Sequence, residues 1–247
     1  MRNHISYRSG NPALTSNSFD STLDASSSQV MTLDGAVNKT ILCLGLLITS
    51  GIYSFKNYEY WMGLLWPLVI LGFIVALITI FKKTWSPVTA PVYAVVEGLA
   101  LGAISMGFEK MFSGIAFQAI YLTCGIFLTL LFLYKFKIIQ ASENFKLGLV
   151  AATGGIFLVY LISFIMGFFG VNIPIMNPLN SSLISIGFSL FVVVIAALNL
   201  VLDFDFIEIG AEQGAPKYME WFGAFSLMVT LISVSYTHLT LPTICSV

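Results

Sequence analysis

The sequence predicts an all-α membrane protein, a bundle of seven transmembrane helices. Three observations carry this. Hydrophobic residues make up 57% of the 247 and charged residues only 9%, with a mean hydropathy of +0.91. A soluble domain carries roughly 25% charged residues, so this chain has too few to coat a water-facing surface. Seven apolar runs follow a polar opening stretch, most of them close to the roughly 20 residues that a spanning helix needs. The runs are too long for strands and show no period-2 alternation.

Residues 1–34 are polar and rich in Ser, Asn, Asp and Thr. They lack the apolar centre of a signal peptide and read as a disordered cytoplasmic tail. The bundle is expected over 35–234. Its first six segments fall at 35–55, 61–81, 87–108, 113–136, 145–169 and 181–202, and the seventh opens near Tyr218. Connections are short. Ser86-Pro87 starts the third segment, and Asn177-Pro178 with Ser181-Ser182 gives the sixth a breaker and N-cap candidates.

The seventh segment is apolar only from Trp221 to Val234, which is 14 residues. Residues 235–247 then bring Ser235, Thr237, His238, Thr240, Pro242 and Thr243 and no basic anchor. This end reads as a non-native, chimeric tail that resembles translated sequencing-adapter text. The alternative is a naturally short last helix.

Orientation follows from Lys and Arg. With the N-terminus inside, the inner segments hold Arg2, Arg8, Lys39, Lys82, Lys83, Lys135, Lys137, Lys146 and Lys217, and the outer loops hold Lys56 and Lys110. Nine against two places the N-terminus and the loop after Asp203 in the cytoplasm, most simply at a bacterial inner membrane. The net charge of -1 gives no reason to expect nucleic acid. Cys43, Cys124 and Cys245 lie far apart, and His4 and His238 sit near opposite ends, so no metal or cofactor motif is present. No Ser-His-Asp set, HExxH, Walker loop or CxxC occurs, and an enzyme is not expected.

Chemistry is therefore sought in acids inside apolar segments, which are costly and ask for a reason. Glu97 lies midway along the third segment, on a face with Ala90, Ala94, Gly98, Leu101 and Ser105. Small residues there let a neighbouring helix approach, and Gly98 and Gly102 form a GxxxG. Glu97 reads either as part of an ion or proton path or as a hydrogen-bonded packing residue.

Asp203 shares a stripe with Ser185, Ser189, Ala196 and Asn199, three or four residues apart on one helix face. It is the candidate pH sensor and gate. The competing reading is an interfacial Asp that merely ends the helix. Asp205, about 200° farther around the helix, is a secondary acid expected at headgroups or water. Two carboxyl groups within hydrogen-bond reach share one proton, and such a pair latches two helices until the proton leaves.

The stretch Asn199-Leu200-Val201-Leu202-Asp203-Phe204-Asp205-Phe206-Ile207 resembles the Bax inhibitor-1 family. So do residues 90–98 and 210–221, which look like its bacterial YccA-like branch. The resemblance covers residues 35–234. It implies a central seventh helix wrapped by six and a pH-sensitive Ca2+ leak. The implied sensor is a pair of carboxylates, one late in helix six and one late in helix seven. Asp203 matches the first, and the stretch after Val234 holds no second acid. A basic residue after helix two that latches onto the Asp would fall at Lys82 or Lys83. The resemblance also implies an alternative function, an interaction protein that modulates a membrane-bound AAA protease, with the polar N-terminal tail as the part a partner grasps.

Overall fold

The computed structural model describes residues 30–139, 141–170 and 182–245. The tail expected over 1–34 lies almost wholly outside them, as do His4 and the Asn177-Pro178 breaker. Among the described residues the chain forms eight α-helices and one 3-10 turn and no strand. In order they are α1 (Leu33–Lys56), α2 (Tyr58–Gly63), α3 (Leu65–Phe81), the 3-10 turn Lys83–Trp85, α4 (Ser86–Met111), α5 (Ile115–Lys135), α6 (Glu143–Phe168), α7 (Leu183–Glu212) and α8 (Met219–Cys245).

Local chemistry starts these helices where they start. Thr32 caps α1 in extended backbone and accepts from Gly35 N at 3.0 Å, with Asp34 in the first turn. Ser142 and Ser182 cap α6 and α7, accepting from Phe145 N and Ser185 N at 3.3 Å. Pro87 sits in the first turn of α4, where its missing N–H costs nothing. Glu109 accepts from Gly114 N and Ala116 N at 2.6 and 3.0 Å, and so fixes the α4–α5 turn.

Six of the helices are long and apolar enough to cross a membrane, and the protein is a multi-pass membrane bundle. The second predicted segment is split: α3 is 17 residues, about 25 Å, and α2 precedes it as a separate short helix. Its path is set by its neighbours. Gly98 and Gly102 of α4 lie against Leu47 and Gly51 of α1, so those two helices run parallel. Leu68, Gly72 and Val75 of α3 meet α4 in the reverse order, beside Ala100, Glu97 and Tyr93. Hence α3 brings the chain back across the bundle between α1 and α4.

The α1–α4 seam is the closest approach. A Cβ at Gly102 would collide with the backbone of Gly51, and one at Gly98 with Leu47 and Ser50. Ser54 Oγ donates across the seam to Leu99 O at 2.6 Å.

The last helix is the centre. It packs against α1, α4, α5 and α7, while α3 packs on α4 and α6 on α7. In the most apolar 18 residues of Met219–Thr240 56% are buried, against 6% in those of Glu143–Phe168. The last helix is thus central, with four principal neighbours, and α3 and α6 stand outside them. The helix also runs on through 235–245, with His238 and Leu239 buried.

A correction concerns α7. It does not stop at residue 202 but continues through the acids to Glu212. At 30 residues, about 45 Å, it is longer than the roughly 30 Å hydrocarbon core. No Gly or Pro interrupts residues 203–209, and the acids there find partners on other helices.

Candidate functional site

Asp203, Asp205 and Glu208 lie on one continuous helix at 100° per residue, so each faces a different neighbour. The Asp203 side chain turns to α8 and is 8% exposed. Ser226 Oγ donates to Asp203 Oδ1 at 2.5 Å. Thr230, one turn farther along α8, flanks the same carboxyl. Oδ2 is buried with no hydrogen bond of normal geometry among the described residues. Around the group pack Leu200, Phe204 and Ile207 of α7 with Leu227 and Leu231 of α8.

Asp205 does not face open water. It pairs with Lys146 of α6 at 2.8 Å, and Lys146 also reaches Glu143 at 3.4 Å. Glu208 accepts from the Tyr134 hydroxyl of α5. The acids at this end of α7 thereby tie it to three helices.

The rest of the predicted stripe does not converge on Asp203. Asn199 donates to Thr153 Oγ1 of α6 at 2.9 Å and to its own Ile195 O at 2.8 Å. Ser185 is buried beside its capping Ser182, 3.1 Å from that hydroxyl. It lies about 27 Å along the helix from Asp203. Ser189 is half-buried between them. Periodicity put these residues on one side, but a side of a 30-residue helix meets more than one neighbour.

Lys82 and Lys83 are corrected as a latch. The Lys82 ammonium stands 4.7 Å over the Trp85 ring and that of Lys83 5.2 Å over the Phe222 ring. Neither pairs with an acid among the described residues. Lys82 thus folds back on the 3-10 turn, and Lys83 reaches the start of α8.

Glu97 lines a cavity of about 480 Å³ between α3, α4 and α8. Ser226 and Thr230 line it too, so the hydroxyls beside Asp203 also front the space that holds Glu97. Sequence reasoning missed these two. Their signal was present, since Ser226 and Thr230 are one turn apart in an otherwise apolar run.

Glu220, the one acid of α8, lies too early in that helix to serve as the second acid, and its partners have no signal in the sequence. Its side chain is fully buried at the start of the helix. It accepts from Thr32 N at 3.0 Å, from Thr32 Oγ1 at 3.1 Å and from the Lys39 ammonium. Gly35 leaves the room, because a Cβ there would strike the carboxylate. Beside it, Met31 N donates to Ala215 O at 2.7 Å. Glu220 is thus committed to α1 and is not the partner of Asp203.

A family model described as Bax inhibitor 1 like matches residues 11–244. A search of curated proteins finds no match.

Proposed function

Since the chain belongs to the Bax inhibitor 1 like family, we propose that it is a seven-crossing, pH-sensitive cation leak pathway, for Ca2+, with Asp203 as the sensor. The observation that carries this reading is the Asp203 carboxyl itself. It is buried between α7 and the central α8, held through one oxygen by Ser226, with Thr230 beside it and no hydrogen bond of normal geometry to the other oxygen among the described residues. A buried polar group in that state is costly, so its charge decides how well the two helices fit together.

The sensor differs from a pair of carboxylates. Its partner on α8 is a hydroxyl, so proton loss brings no like-charge repulsion from a second acid. A lone carboxyl titrates as a single group, without the split steps of a coupled pair. Lysines gather where α1, α4, α6 and α8 begin, and this end is read as the cytoplasmic face of a bacterial inner membrane.

The test is reconstitution in liposomes with an entrapped Ca2+ dye. Flux is expected to follow pH as one titrating group. Asp203→Asn should flatten that profile, and Ser226→Ala should displace it without flattening it. Flux that ignores pH in the parent protein, or a pH profile that survives Asp203→Asn, would overturn the reading.

A further inference from the structure

Glu97 is the twelfth residue of a 26-residue spanning helix, about 17 Å from its start. It forms no ion pair and accepts no hydrogen bond among the described residues. Among the described residues the titratable groups that face it are Tyr93 of α4 and Tyr236 of α8, and no cation does. Across from it, α3 carries Gly72, where a Cβ would come 2.5 Å from Oε1. The bundle therefore makes room for this carboxylate and supplies it no counter-charge.

The space in front of it has a definite chemistry. Its volume of about 480 Å³ falls in the range of small-molecule sites, about 300–1,000 Å³. The walls are Tyr93, Phe222, Phe225 and aliphatic side chains, with polar groups only at Glu97, Ser226, Thr230 and the tyrosine. Ordered water needs two to four polar partners each, so these walls hold little of it. The rim is formed by Phe73, Ile80 and Val229, which are exposed on the outer surface of the bundle, so the mouth opens sideways toward lipid.

An unpaired carboxylate asks for a cation, apolar walls ask for an apolar body, and a lateral mouth admits what partitions into a bilayer. We propose that this cavity is a binding site for a hydrophobic organic cation of the alkylammonium class. Its head pairs with Glu97 and its chain leaves between α3 and α8. Aromatic faces beside the head add cation–π attraction. The bound molecule lies against Ser226, the residue that holds Asp203, so occupancy is felt at the α7–α8 contact. The site stands on its own geometry and does not depend on the leak reading.

The probe is a decylamine carrying an alkyl diazirine, photolysed with the full chain in vesicles of neutral lipid, with labelled residues located by mass spectrometry. Labelling is expected on α3 around Phe73 and on α8 between Phe222 and Thr230. Decylamine should compete it away, and decanol and decanoate should not. Glu97→Gln should weaken that competition about tenfold or more, the scale of a lost charge-assisted hydrogen bond. Gly72→Val, which fills the space beside the carboxylate, should abolish it. Competition by decanol equal to that of decylamine in the parent protein overturns the proposal without recourse to any variant. So does labelling spread evenly over the outer surface, or competition unchanged in Glu97→Gln. None of these readouts involves ion flux.

Discussion

Glu220 shows what a single charge in this bundle costs and how it is met. Its carboxylate is fully buried, and its partners, Thr32 and Lys39, come from the far end of the sequence. Removing one member of a buried ion pair leaves the other uncompensated, at about 3–5 kcal/mol, while replacing both by apolar groups is often nearly neutral. Lys39→Met is therefore expected to lower the unfolding midpoint sharply in detergent, and Lys39→Met with Glu220→Met to regain most of the loss. Two equal, additive losses would refute the pairing. No local pattern announces this contact: 181 residues separate the two side chains. The inward turn of Asp203 was legible because helix periodicity is local, although the other members of its stripe meet other neighbours. Ser226 could be noticed as one of the few hydroxyls of its run but not assigned to Asp203.

At the scale of the element, the α1–α4 seam and α6 are opposites. Gly102 meets the backbone of Gly51, whereas a Cβ at Gly155 on α6 would meet nothing within 4 Å. Gly102→Leu should destabilise by about 1–3 kcal/mol through overpacking, and Gly155→Leu should be close to neutral. Alkylation of Cys43, which has no exposed surface, reports the difference as the thiol is unmasked on heating, in a background lacking Cys124 and Cys245. The GxxxG was readable as a small-residue face, but which helix it met was not, since the period of a sequence carries no partner. The length of α7 was misjudged for a related reason. Asp205 and Glu208 look like residues meant for water until Lys146 and Tyr134 are brought to them.

For the whole molecule, the hydrophobic runs sufficed to forecast an all-helical membrane bundle, because an apolar span must satisfy its own backbone. They did not decide the count of crossings, since α3 has only 17 residues, and a crossing by it is supported by the parallel run of α1 and α4. That traverse has a measurable outcome. On the proposed reading of seven crossings of a bacterial inner membrane, a periplasm-active reporter at the C-terminus should be active and one at the N-terminus silent. Equal activity at both ends would mean that α3 does not span. That α8 has four principal neighbours while α3 and α6 stand outside was not recoverable from composition, since the exposed α6 and the buried α8 are both simply hydrophobic.

The junction of residues 30–32 with the run-up to α8 has a mechanical corollary. Val30 bridges Pro216, Met31 holds Ala215, and Thr32 holds Glu220, so the lead-in segment is stitched to the foot of the central helix. A tug applied upstream of Val30 would arrive at that foot directly, ahead of the outlying α3 and α6.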